Sequence, residues 1–167
     1  PSKRESLLRP QPPPVYPDLT VDESLTYAAE IRPIPKNKNK AAVGEAMEKC
    51  QISHFSSRLI KNLSGGYKQR VGIAQSIIHK PKLVIMDEPT NGLDPNQLIE
   101  ARKLIREIAQ DRTVLLSSHI MSEIHMLCRE VIMIENGRII ERGGHDELMQ
   151  LNGHYSHLFS LQAKGYR

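Results

Sequence analysis

The chain has 167 residues, 39% of them hydrophobic, which suits one packed domain or a large piece of one. Its net charge of +4 comes from 23 basic and 19 acidic residues scattered along the chain. The few aromatics do not interleave with the basic residues as a stacking platform would, so nucleic acid is not expected as a partner. No apolar run approaches the ~20 residues of a membrane span, and nothing reads as a secretory leader, so the chain is expected in solution or on another protein. Cys50 and Cys128 stand far apart with no C-x-x-C, which fits a reducing compartment. His125 and Cys128, with His119 nearby, are an incomplete ligand set, and His154 and His157 read as surface residues. The first residue, Pro1 rather than Met, is expected of a fragment or a processed chain.

Residues 1–18 read as an extended loop because of Pro10-Gln11-Pro12-Pro13-Pro14. Thr20-Val21-Asp22-Glu23 is a capping box and predicts a helix over about 21–31, ended by Pro33 and Pro35. A second helix is predicted over about 40–50 with Gly44 as its weak point, and a third runs from a Ser64 cap to about His79. Leu83 to Met86 is an uninterrupted apolar run, as in a strand buried on both faces. Asp94-Pro95 starts a helix whose stripe is Leu98, Ala101, Ile105 and Ile108. Thr113 to Ser117 reads as a strand, and Ser122 as the cap of a short helix. Val131 to Glu135 and Ile139 to Arg142 are strands joined by Asn136-Gly137, the strongest two-residue hairpin signal. Helices are predicted over 146–151 and 153–162. Strands alternating with helices give an α/β fold class.

Three stretches carry chemistry. Asp87-Glu88 places two carboxylates at the end of a buried strand, where the first can hold Mg²⁺ on nucleotide phosphates and the second can take a proton from water. An ordinary acidic strand end would look the same. Ser64-Gly65-Gly66 opens a helix with two glycines, which lets backbone approach an anion at the positive dipole end; a plain capped turn would also fit. His119 follows a strand end, from which it can reach a terminal phosphate or simply serve as a loop histidine.

Taken in order, these stretches resemble the ATP-binding subunits of ABC transporters. Leu63 to Arg70 is similar to the signature motif, Leu83 to Glu88 to Walker B, Gly92-Leu93-Asp94 to the D-loop, His119 to the switch histidine and the segment around Gln11 to the Q-loop. The resemblance implies a partial P-loop NTPase (ABC ATPase) fold: a Q-loop segment (1–18), a helical subdomain with the signature (19–80), a core α/β part (81–145) and a helical tail (146–167). It implies ATP and Mg²⁺ as cofactors. Asp87 and Gln11 would organise the metal, Glu88 would be the general base, and His119 would hold the γ-phosphate. Ser64, Gly65, Gly66, Gln69 and Asp94 would contact nucleotide, some of them in the partner's site of a head-to-tail dimer. It also implies a transmembrane permease partner and a place in the cytoplasm, peripheral on the inner face of the membrane. Tyr67 and the stretch from Gly72 to Asn96 resemble exporters whose ATPase is a separate polypeptide, whereas the tail from Arg138 to Gln162 is similar to exporters that fuse both parts.

No G-x-x-x-x-G-K-[ST] occurs, so the sequence lacks the Walker A cradle for the β- and γ-phosphates. The resemblance places the Walker A strand beside Leu83–Met86, so an exposed edge is expected there. These 167 residues by themselves are therefore expected to be marginally stable and to bind ATP poorly. The leading expectation is part of an ATPase subunit that powers an exporter. A naturally truncated, non-catalytic partner subunit and a soluble ABC protein outside transport are the alternatives.

Overall fold

The structure is a computed structural model that describes residues 6–9, as backbone, and 15–165. The chain forms two compact units, the first ending at Ser117 and the second starting at Ser118.

In the first unit, β1 (Ser6–Arg9) is followed by α1 (Val21–Glu30), α2 (Asn39–Lys49), α3 (Gly65–Ile77), β2 (Leu83–Asp87), α4 (Pro95–Asp111) and β3 (Thr113–Ser117). The three strands form a parallel sheet in the order β1-β2-β3. This corrects two expectations. Ser6–Arg9 is a strand rather than loop, because the prolines that forbid ladder donors begin only at Pro10. And β2 is not an edge: β1 takes one side of it and β3 the other, so among the described strands the unpaired edges of this sheet belong to β1 and β3. Burial on β2 is also one-sided, with Val84 and Met86 fully buried and Leu83 and Ile85 half-buried. On β3, Leu115 is 51% exposed, so the aggregation-prone surface lies there.

The three helices between β1 and β2 pack on one another. The Thr20 capping box forms as expected: the Glu23 N–H donates to Thr20 Oγ1 at 3.2 Å and the Thr20 N–H donates to Glu23 Oε2 at 2.8 Å. Val21, Leu25, Ala28 and Ala29 of α1, Val43 and Ala46 of α2 and Val71, Ala74 and Ile77 of α3 are buried in the core. Helix α2 runs through Gly44 without a break. The stretch from Ser53 to Leu63 is tied to the entry of α1 by backbone bonds: Ile60 N–H to Leu19 O at 3.0 Å and Val21 N–H to Arg58 O at 3.1 Å. That anchoring fixes where α3 begins. Asp94 and Pro95 start α4 as expected, and its buried stripe is Ala101, Leu104, Ile105 and Ile108; Leu98, in the first turn, is only half-buried.

The second unit holds α5 (Met121–Leu127), the antiparallel hairpin β4 (Val131–Glu135) and β5 (Arg138–Gly143), α6 (His145–Leu151) and α7 (His154–Gly165). Asn136 and Gly137 both take left-handed backbone, φ 50° and 74°, as a type I′ turn requires. The core is Met121, Ile124, Val131, Leu148 and Tyr155, with Cys128, Met133, Met149 and Phe159 packed on it. Ser122 does not cap α5: it lies inside the helix, and Ile120 holds the cap position. The start of α7 is capped from the hairpin, where the Glu141 carboxylate accepts the N–H groups of His154 and Tyr155.

A Cβ on Gly153 would overlap Glu141 Oε1, so Gly153→Ala is expected to displace that carboxylate and lower the stability of the second unit by ~1 kcal/mol, the usual worth of a helix cap. Thermal unfolding of Gly153→Ala and Glu141→Ala measures it, and equal midpoints with wild type would contradict it. His79 Nδ1 is buried without a hydrogen-bond partner. Burial, reinforced by the charges of Arg32 and Arg112, lowers the His79 pKa to about 4. The unfolded chain takes up this proton near pH ~6.5 while the folded chain resists it, so stability is intact above that pH and falls as pH drops toward 4. The loss is on the order of 1 kcal/mol after discounting for the ring's partial exposure. His79→Gln is expected to flatten the urea midpoint between those pH values; an unchanged slope would contradict it.

Candidate functional site

The two carboxylates sit where β2 meets β3. Asp87 is the last residue of β2 and lies in register with Ser117, the last residue of β3. The Ser117 hydroxyl donates to Asp87 Oδ1, and the Glu88 N–H donates to Ser117 O at 3.1 Å. Glu88 itself takes left-handed backbone with φ 44°. That conformation costs a non-glycine residue ~1 kcal/mol and persists only where surroundings enforce it. Here the bond to Ser117 on one side enforces it, with the Asn91 N–H on the Glu88 carbonyl at 3.2 Å on the other. Strand pairing thus turns the chain sharply just after Asp87, leaving both carboxylates half-buried at the end of the sheet.

The opening of α3 is the second part. Ser64 holds the cap position in extended backbone but makes no side-chain bond to the helix, so the side-chain cap expected from the sequence is absent. Its hydroxyl is left at an exposed position beside first-turn N–H groups that have no partner inside the helix. Gly65 has open space around it, and no acidic residue lies in the first turn. Gly66 is buried under the side chain of Gln97, whose Cδ is 2.6 Å from where a Cβ would stand.

Helix α3 is tied to both neighbours of the carboxylate turn. Gln69 is 6% exposed and directs its amide inward, donating to Pro89 O at 2.5 Å, one residue after Glu88. Arg70 is 8% exposed and donates to Cys50 O at 3.1 Å, to Gln51 Oε1 at 3.2 Å and to the Glu100 carboxylate of α4. Tyr67 stands edge-on to Phe55, ring centroids 4.5 Å apart, with the Arg70 guanidinium 5.8 Å from its ring centre. In the turn between β2 and α4, Gly92 has φ 72°, and Asp94 Oδ1 accepts the Gln97 N–H at 2.9 Å to cap α4.

Of the residues expected from the sequence, Asp87 and Glu88 adjoin one another at the sheet end. Ser64, Gly65 and Gly66 form the start of α3, Gln69 links that helix to Pro89, and Asp94 caps α4. His119 belongs to the second unit, two residues beyond β3, and its carbonyl accepts a bond from Gln162 Nε2 at 2.7 Å. Gln11 lies outside the described residues. Ser117, Gln97 and Gln162 had no role assigned from sequence; Ser117 stood in the motif of His119 and could have been found from the register of two adjacent parallel strands. The donor set fits Mg²⁺ and phosphate: a carboxylate at a strand end is a hard oxygen ligand, and an uncapped helix start accepts an anion.

The profile of the ABC transporter family matches residues 2–91, more than half of the chain. The bacitracin transport ATP-binding protein BcrA of Bacillus licheniformis is 41% identical over 145 residues, covering 86% of this chain and 46% of that protein. The ABC transporter ATP-binding protein YxlF of Bacillus subtilis is 35% identical over 155 residues, covering 93% of this chain and 52% of that protein. Among solved structures, CbiO1 of Clostridium perfringens, part of the ABC transporter complex CbiONQ, superposes with a TM-score of 0.72 at 27% identity over 82% of this chain and 55% of that one. The chain spans about half the length of the curated relatives it matches. On its fold, its site and these likenesses, the chain belongs to the ABC transporter family, among the ATP-binding proteins.

Proposed function

We infer that this chain is the part of an ATP-hydrolysing subunit that carries the catalytic carboxylate, the switch histidine and the signature helix, and that the whole subunit powers an ABC-type exporter. The observation that carries the reading is Glu88, held in a left-handed turn directly after the strand-end Asp87 by its bond to Ser117. A carboxylate so fixed can accept a proton from water without reorganising first. Asp87, its oxygen oriented by the Ser117 hydroxyl, would be a ligand of Mg²⁺, with Gln11 as the second residue assigned to it. Bound Mg²⁺-ATP would supply the phosphoryl group transferred to water. His119 would hold the γ-phosphate. Ser64, Gly65 and Gly66, at the open start of α3, and Asp94 would serve the nucleotide across a head-to-tail dimer with a second ATP-binding subunit. Gln69 would support the site from behind, through Pro89.

Export is supported by the likeness to BcrA, which is named for bacitracin transport, and the permease partner by the likeness to CbiO1, which is part of a transporter complex. No helix among the described residues is long and apolar enough to cross a membrane, so the subunit would reach the inner membrane face through that permease.

In the full-length subunit, Glu88→Gln keeps the size of the side chain but cannot take a proton. Turnover is expected to fall roughly 100-fold or more while ATP binding is retained; unchanged turnover would contradict the assignment. Ser64→Arg places a bulky cation at the exposed start of α3. It is expected to abolish turnover of the dimer with little change in ATP affinity at the same subunit's own phosphate loop. Retained turnover in that variant would remove the signature helix from the mechanism.

A further inference from the structure

The short loop that carries His119 is held by the far end of the chain. Helix α5 begins at Met121 with no side-chain cap on Ile120, so the Met121 N–H is one of the donors a helix start leaves over. Gln162 of α7 accepts that N–H through Oε1 at 2.8 Å. The other arm of the same carboxamide, Nε2, donates to the His119 carbonyl at 2.7 Å. Between these two contacts, the Ile120 N–H donates to Ser118 Oγ at 3.1 Å. The backbone on both sides of Ile120 is therefore clamped by one planar group lying 41 and 43 residues away.

The chemistry of the clamp selects the residue. A carboxamide offers a donor and an acceptor at once; a carboxylate offers acceptors only, and Leu offers neither. The register of α7 is fixed independently. Glu141 caps its first turn, Tyr155 is fully buried and Phe159 packs on the same core. Positions 155, 159 and 162 are spaced i, i+4, i+7, which is one face of a helix. That face seats the aromatics in the core formed with Met121 and Ile124 and brings Gln162 to the start of α5.

We propose that Gln162 is a positioning residue for His119, through which the last helix sets the switch histidine's backbone for turnover. This rests on the reading of His119 as the γ-phosphate residue. It also makes α7 a point of control, because moving that helix would release both bonds together.

The test compares Gln162→Leu, Gln162→Glu and His119→Ala in the full-length subunit by steady-state ATPase kinetics and by amide hydrogen exchange. Gln162→Leu is expected to lower kcat ~10-fold or more with KM for ATP nearly unchanged. Gln162→Glu, which keeps an acceptor for Met121 but sets a carboxylate against the His119 carbonyl, is expected to be as impaired. Adding Gln162→Leu to His119→Ala should lower kcat no further, since both act through one group. Exchange should quicken at Met121 and stay slow at core amides such as Ile124 and Leu148. Wild-type kcat in Gln162→Leu, with His119→Ala inactive, would overturn the clamp alone. Faster exchange throughout the second unit in Gln162→Leu would also overturn it, by making the defect one of folding. Full turnover in His119→Ala would overturn the reading of His119 and the proposal with it.

Discussion

The parallel pairing of β2 with β3 is the constraint on which the rest depends. It sets Asp87 opposite Ser117, and that register allows the Ser117 hydroxyl to reach Asp87 and the Ser117 carbonyl to take the Glu88 N–H. That second bond, together with the Asn91 N–H on the Glu88 carbonyl, holds a glutamate in left-handed backbone at the end of a strand. The buried Val84 and Met86 keep the strand in place, and α4, capped by Asp94, returns the chain to β3 at the right distance. Fold and site thus share one origin: strand register decides where the carboxylates stand.

From that point helix α3 is held by polar bonds rather than by apolar packing alone. Gln69 meets Pro89 O, Arg70 reaches Glu100, and Gly66 lies under Gln97. Buried polar groups of this kind are costly unless satisfied, so they favour one placement of α3 over its neighbours. The consequence is mechanical. The start of α3, proposed to serve the partner's nucleotide, cannot shift freely against the turn that carries Glu88, the proposed catalytic carboxylate.

Much of this was legible in the sequence because it is local. The Thr20–Glu23 capping box, the Asp94-Pro95 helix start and the Asn136-Gly137 turn all rest on contacts within a few residues, and all appear where their patterns placed them. What escaped is non-local. Ser6–Arg9 is too short to announce a strand, and its partner lies beyond three helices. The edge expected on β2 was placed by analogy of strand order and falls elsewhere, because β1 and β3 both pair with β2. Ser122 looked like a cap by residue type, whereas the N–H at the helix start is met by Gln162. A single amide bonding across so many residues leaves no periodic trace. The 155, 159, 162 spacing shows a helix face but not what the polar member of it touches.

As proposed, these residues supply the carboxylates, the signature helix and the switch histidine of an ATPase subunit, and the sequence has no G-x-x-x-x-G-K-[ST] loop to cradle phosphates. The most direct measurement is a calorimetric titration of Mg²⁺-ATP into the 167-residue chain and into the full-length subunit, with circular dichroism recorded on each sample to establish that it is folded. Micromolar binding by the full-length subunit with none detectable in the folded shorter chain is the expected result. Micromolar binding by the shorter chain itself would contradict the account, because the affinity would then arise from residues given other roles here.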